Sequence, residues 1–202
     1  MANKKIFAIG CLGVLVLGVL IVALYVTGVY NGLVGLDQKT QSQWGQVENE
    51  YQRRADLVPN LVETVKGAAA FEKDTYTAVT EARAKVGQVQ VNPGQLTPDA
   101  FAKFQAAQDG LSSALSRLLV VVEKYPELKA TENFKELQAQ LEGAENRIAV
   151  ARMRFNEAAQ AFNTKRNRFP AVIIVGFFGS KFAEKPYFKA QAGAETAPKV
   201  KF

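Results

Sequence analysis

The side chains able to do chemistry in this chain are few, and their absences say as much as their positions. No histidine occurs among the 202 residues, which removes the commonest general base, the commonest zinc ligand and every Ser-His or Cys-His nucleophile pair. The single cysteine, Cys11, excludes an intrachain disulfide and a multi-cysteine metal site, and its apolar neighbours make it a buried, unreactive thiol. Glu127, Glu132, Glu142 and Glu145 could be imagined as a carboxylate metal site within helices. Carboxylate-bridged dimetal bundles add Glu-x-x-His pairs, however, and this chain has none to supply, so solvated helix faces account for these acids better. The reading is therefore no catalytic residue, no metal and no cofactor, hence no enzyme. A carboxylate-dependent hydrolase is the remaining enzymatic alternative, and it lacks a visible pair of acids.

Two charged groupings remain. Arg53, Arg54, Asp56 and Asn60 gather around Pro59. A proline inside a helix frees a backbone carbonyl, so these polar residues are expected either to stabilise a kink or to dock a partner. Arg147, Arg152, Arg154, Lys165, Arg166 and Arg168 form a basic stripe, expected to be solvated or paired, or to meet anionic headgroups if it faces a bilayer. The formal charge of +6 is no platform for nucleic acid. Lys4 and Lys5 hold two of those charges, and the segment from Lys181 onward nets three more, leaving the region between close to neutral.

The elements carrying these groups follow from hydrophobic pattern. Residues 6–36 contain no charge, and 6–29 are the most apolar part. About 20 apolar residues cross the roughly 30 Å hydrocarbon core, so 6–29 is assigned as a transmembrane helix behind a short segment, 1–5. Thirteen Leu, Ile, Val or Phe side chains lie between Ile6 and Leu24. At roughly −0.3 to −0.6 kcal/mol each they favour insertion by about 4–8 kcal/mol. The run is too long for a signal-peptide core, and only five residues separate Lys5 from Cys11, too few for a lipoprotein signal. Lys4 and Lys5 against Lys39 put the N-terminus in the cytoplasm and the rest outside by the positive-inside rule. Tyr25 and Tyr30 suit the far interface.

Beyond the anchor, residues 30–180 show helical periodicity. A first segment, 35–86, carries Trp44, Val47, Tyr51, Val58, Leu61 and Val65 on one face, with a kink expected at Pro59; anchor and segment can form one continuous rod. Asn92-Pro93-Gly94 makes a turn, Thr97-Pro98-Asp99 starts a second helix, and Thr131 opens a third. That third helix repeats Phe134, Leu141, Ile148, Phe155, Phe162 and Phe169 every seventh residue, with Ala144, Ala151 and Ala158 in the companion seam. Such a repeat predicts shallow, coiled-coil-like packing within a bundle or between chains. The fold class is all-α: a transmembrane helix followed by an antiparallel bundle of three or four long helices. Residues 170–178 are too short to span and are expected to cap the bundle, touch another subunit or lie at the membrane interface. Residues 181–202 are assigned as a flexible tail.

Several long motifs resemble the LemA family. They include Arg53-Arg54-x-Asp56-Leu57-Val58-Pro59-Asn60-Leu61-Val62, Tyr125-Pro126-Glu127-Leu128-Lys129-Ala130, Asn133-Phe134-x-x-Leu137 and Glu145-Asn146-x-Ile148-Ala149-x-Ala151-Arg152. Phe155-Asn156, Phe162-Asn163 and Phe169-Pro170 complete the pattern. The resemblance implies a bacterial membrane protein with an antiparallel helical bundle and no established enzymatic activity. It also implies a bundle on the cytoplasmic side, against the lysine count. The expected function is a single-pass scaffold of the bacterial inner membrane that forms homo-oligomers. An adaptor for a membrane protease or signalling protein is the alternative. The expected partners are the lipid bilayer, further copies and a membrane protein, not nucleic acid.

Overall fold

The computed structural model describes residues 2–67 and 72–189; the side chains of Lys4, Lys5 and Cys11, and residues 190–202, lie outside what is described. The first element, α1 (Ala2–Lys66), is one uninterrupted helix of 65 residues that carries both the apolar span and the first bundle strut. At 1.5 Å per residue it is about 97 Å long. It is the one described helix long and apolar enough to cross a membrane. Leu12, Val14, Leu15, Leu17, Leu20 and Leu24 stand largely bare of protein contact, whereas Leu33, Trp44, Val47, Val58, Leu61 and Val65 are buried. The change from bare to packed takes place within a few residues of Val29.

Pro59, the expected kink site, does not end the helix. α1 runs through the proline, and the chain turns at Gly67 instead, opening α2 (Lys73–Gln88). A proline removes only one N–H, and here the carbonyl it frees, that of Ala55, accepts a hydrogen bond of 2.9 Å from Arg83 Nε of α2. Three further helices complete the frame: α3 (Pro98–Val122), the short α4 (Pro126–Ala130) and α5 (Glu132–Asn167). Both expected starts are present. Thr97 Oγ1 accepts from the Ala100 N–H at 3.2 Å, and Thr131 Oγ1 from the Phe134 N–H at 3.4 Å. α1, α2, α3 and α5 form the up-and-down bundle, with α5 antiparallel to α1 along its packed length.

The core is stacked in three tiers. The distal tier joins Val58, Leu61 and Val65 to Leu111, Leu118, Phe134 and Leu141. The middle tier is aromatic, with Trp44 against Phe101, Phe104, Phe155 and Phe188 at centroid separations of 5.0–6.0 Å. The proximal tier gathers Val29, Leu33, Phe162, Ala171, Val175 and Phe182 where the bare helix meets the bundle. The seven-residue stripe of α5 is buried from Phe134 to Phe162, and Ala144, Ala151 and Ala158 are buried beside it. Phe169 departs from the pattern: α5 ends at Asn167, so its side chain leaves the seam and is 76% exposed.

Residues 181–189 depart from the flexible tail assigned to them. α6 (Ala171–Phe177) docks on the proximal tier, and residues 181–189 are held against the bundle, with Phe182, Lys185 and Phe188 buried. This part of the assigned tail is a strap. Its apolar side chains enter two tiers of the core, and its backbone is hydrogen-bonded along α5.

Candidate functional site

Of the residues gathered around Pro59, only Arg54 has a structural task across the bundle. It is 1% exposed, and its guanidinium reaches two other helices. Nη1 donates to Ser112 Oγ at 2.7 Å and to Glu145 Oε1 at 2.6 Å; Nη2 donates to Gln108 Oε1 at 2.6 Å and to the Gln108 carbonyl at 3.2 Å. The Tyr51 ring lies 5.1 Å from the guanidinium carbon. Arg54 therefore bolts α1 to α3 and α5 through acceptors that a planar fork can meet simultaneously. The expected kink network is not formed. Arg53 and Asn60 are exposed, and Asp56 accepts from Gln52 Nε2 at 2.7 Å on its own helix. The Pro59-freed carbonyl is served by Arg83, a pairing that spans 28 positions and so has no local signature.

The basic stripe is divided rather than continuous. Arg147 Nε pairs with Glu50 at 3.0 Å, Arg152 Nη2 donates to the Lys189 carbonyl at 2.8 Å, and Arg166 Nε donates to the Phe182 carbonyl at 2.7 Å. Arg154, Lys165 and Arg168 make no hydrogen bond or ion pair through their side chains among the described residues. Glu145, one of the acids weighed as a metal ligand, belongs to Arg54, and Glu142 accepts from Gln138 Nε2 at 3.0 Å.

The strap explains two residues that the sequence shows only as part of a motif. Asn163 Oδ1 accepts from the Lys185 N–H at 2.9 Å while its Nδ2 donates to the Lys185 carbonyl at 2.8 Å. One heptad earlier, Asn156 Oδ1 accepts from the Phe188 N–H at 2.9 Å and its Nδ2 donates to the Phe188 carbonyl at 3.0 Å. Each Phe-Asn pair thus sends a ring into the core and an amide to the strap, as a strand would pair with a strand. Lys185 Nζ lies 2.6 Å from Asp37 Oδ1, in an ion pair only 5% and 17% exposed. That pair fixes the strap to α1 as well.

A cleft of about 580 Å³ opens between α1, α2 and the segment after α2, lined by Glu48, Tyr51, Gln52, Arg83, Val91 and Gln108 among others. Burial raises the Glu48 carboxyl pKa, opposed by the Trp44 indole N–H, which faces it without closing a bond of normal geometry. Burial likewise raises the Tyr51 phenol, against the nearby positive charges of Arg152 and Arg54. Glu48 is the one acid among the described lining residues, so the cleft presents no carboxylate pair to share general acid and base roles.

The end of the bundle nearest the apolar half of α1 has a different character. Tyr30 of α1 packs against Phe178 and Phe182 at 5.1 and 5.6 Å, and Lys181 donates to the Tyr30 hydroxyl with its ammonium 4.8 Å from the ring centroid. The Lys165 side chain crosses Gly32, where a β-carbon would sit 3.5 Å from its Cε. Val172, Ile173 and Phe177 of α6 point away from the core, and Phe177 is 85% exposed.

Comparison with known proteins is consistent with these motifs. The family model described as LemA family matches residues 43–202. Magnetosome protein MamQ 2 of Paramagnetospirillum magneticum is 28% identical over 184 residues, covering 83% of this chain and 67% of the relative. Magnetosome protein MamQ of Magnetospirillum gryphiswaldense gives the same identity and coverage. Protein LemA of Metamycoplasma hominis is 26% identical over 116 residues, which is 57% of this chain and 49% of that protein.

Proposed function

For this chain, which belongs to the LemA family, we propose a non-enzymatic, single-pass membrane scaffold that self-assembles and holds its bundle at a fixed attitude to the bilayer. The observation that carries this reading is the unbroken α1. One helix has a bare apolar half and a packed half, so the bundle cannot swivel freely on its anchor. Confinement to a plane raises the effective concentration of copies, and weak contacts then suffice for assembly. An exposed apolar pair on α5, Val150 and Met153, flanked by Arg147 and Arg154, offers such a contact.

The test is carbonate extraction followed by crosslinking in native membranes. The scaffold reading expects the chain to stay with the membrane and to give species above monomer; release by carbonate, or monomer alone at natural abundance, overturns it. An inner-membrane orientation with the bundle outside follows from Lys4 and Lys5, because the positive-inside rule weighs charges near the span in sequence. Lys165 and Lys181, brought to the span only by folding, do not enter that count. Protease access to the bundle in intact spheroplasts checks it.

A second reading, an adaptor for a membrane protease or signalling protein, is favoured by Arg53. It is exposed on α1 without a polar partner among the described residues, beside Asp56. Affinity capture should then recover one heterologous protein in stoichiometric amount, and Arg53→Ala should abolish recovery without unfolding the bundle.

A further inference from the structure

α6 is apolar on every side, yet only half of it is covered. Ala171 and Val175 are buried against Val29, Leu33 and Phe162, with Ile174 and Phe178 partly buried beside them. The opposite face presents Val172, Ile173, Gly176 and Phe177, and the exposed Phe169 precedes it. An uncovered apolar helix face beside solvent is unfavourable, so the position of this face along α1 matters.

That position is set by the proximal tier. Leu24 is the last Leu or Val of the span that is mostly exposed, and Val29, five residues later, already touches the tier that holds α6. Five residues of helix advance about 7.5 Å. The polar layer on each side of the hydrocarbon core is roughly 5–8 Å thick, so α6 falls at the boundary between acyl chains and headgroups. Tyr25 and Tyr30 of α1, and the exposed Phe169 and Phe177, then supply rings to this boundary region, where aromatic residues concentrate.

The charges around this face complete the pattern. Between residues 165 and 184 the chain carries Lys165, Arg166, Arg168 and Lys181 against a single acid, Glu184. Arg166 serves a strap carbonyl and Lys181 the Tyr30 hydroxyl, while Lys165 and Arg168 make no side-chain hydrogen bond or ion pair among the described residues. Apolar side chains flanked by cations are the chemistry of interfacial helices on anionic bilayers.

We propose that α6 is a second membrane contact: its outer face enters the acyl-chain boundary, and Lys165, Arg168 and Lys181 hold anionic headgroups around it. The bundle then stands on the bilayer at two places, the span and this foot. The inference rests on the apolar part of α1 lying in the membrane, and the test separates the two.

The full chain is reconstituted in vesicles of phosphatidylcholine and phosphatidylglycerol whose lipids are brominated high in the acyl chain. Phe177→Trp places a reporter at an exposed site, and the parent, whose single tryptophan is the buried Trp44, supplies the background. The expected result is blue-shifted emission from the indole introduced at position 177, which loses most of its intensity to the bromines. Leu17→Trp reports on the span and Val120→Trp on the exposed distal surface, where no quenching is expected. Quenching at 17 but not at 177 overturns the foot and leaves the anchor standing; no quenching at 17 overturns the anchor itself. Blue-shifted but unquenched emission from position 177 assigns the face to a second copy of the chain and also overturns the foot. Omitting phosphatidylglycerol should weaken the quenching at 177, and Lys165→Gln, Arg168→Gln and Lys181→Gln together should remove that dependence. Quenching at 177 indifferent to lipid charge overturns the headgroup role.

Discussion

Arg54 shows how much one buried cation can be asked to do. Its four acceptors lie on two helices, and three of the contacts are with neutral groups, so the ion pair is only part of its value. Glu145 is half exposed, which limits the Coulombic share to the scale of a partly screened pair. Replacing Arg54 with Ala leaves a cavity and strands the buried Gln108 side chain, and the expected loss is about 2–4 kcal/mol of bundle stability. Arg54→Lys should recover little of it, because a single ammonium cannot address acceptors spread over α3 and α5. Chemical denaturation of the detergent-solubilised chain checks both, and full rescue by lysine would show that charge alone matters. Glu48 gives a residue-scale effect of opposite sign. Its folded pKa is raised by burial, so its contribution to stability is fully present below the ordinary carboxylate range and is lost as pH rises through the folded value. Glu48→Gln is therefore expected to be slightly more stable than the parent at neutral pH. That advantage should disappear on acidification to about pH 4, as melting temperatures across the pH range would reveal.

At the scale of elements, some boundaries are plain in the sequence and others are hidden for a physical reason. Thr97, Thr131 and the α5 heptads are readable because caps and seams are local or periodic. The continuity of α1 through Pro59 is not, since whether a proline breaks a helix depends on what reaches the freed carbonyl. Here that group arrives from α2. The strap is hidden in the same way. Nothing local distinguishes a tail that floats from one whose backbone is paired with Asn156 and Asn163, although both asparagines stand in view within the Phe-Asn repeat. The Arg83 arrangement makes a sharp prediction. Arg83→Ala should cost about 1–2 kcal/mol in the parent by orphaning the Ala55 carbonyl. In a Pro59→Ala background the new amide at position 59 can serve the same carbonyl, so the Arg83 substitution should cost clearly less. A double-mutant cycle measures the coupling, expected to be about 1 kcal/mol. Strict additivity would mean that the carbonyl is not what Arg83 supports.

At the scale of the whole molecule, the proximal tier and the unbroken α1 make span and bundle one body. With the apolar half of α1 in a bilayer, as proposed, the bundle's faces would have fixed bearings with respect to the membrane plane, and two anchored copies would meet only through faces that both present sideways. Val150 and Met153, three residues apart on α5 and 42% and 54% exposed, form one such face beside the groove between α1 and α5. Val120, though 69% exposed, lies on α3, which does not share that groove. If copies assemble through α5, Met153→Cys in a Cys11→Ser background should form an intermolecular disulfide under mild oxidation of native membranes, whereas Val120→Cys should remain monomeric. Confinement to the bilayer raises collision frequency for both positions alike, so the difference between them reports facing rather than crowding. Equal yields at the two sites would mean random encounter, and a disulfide at 120 alone would move the contact from α5 to the α3 surface.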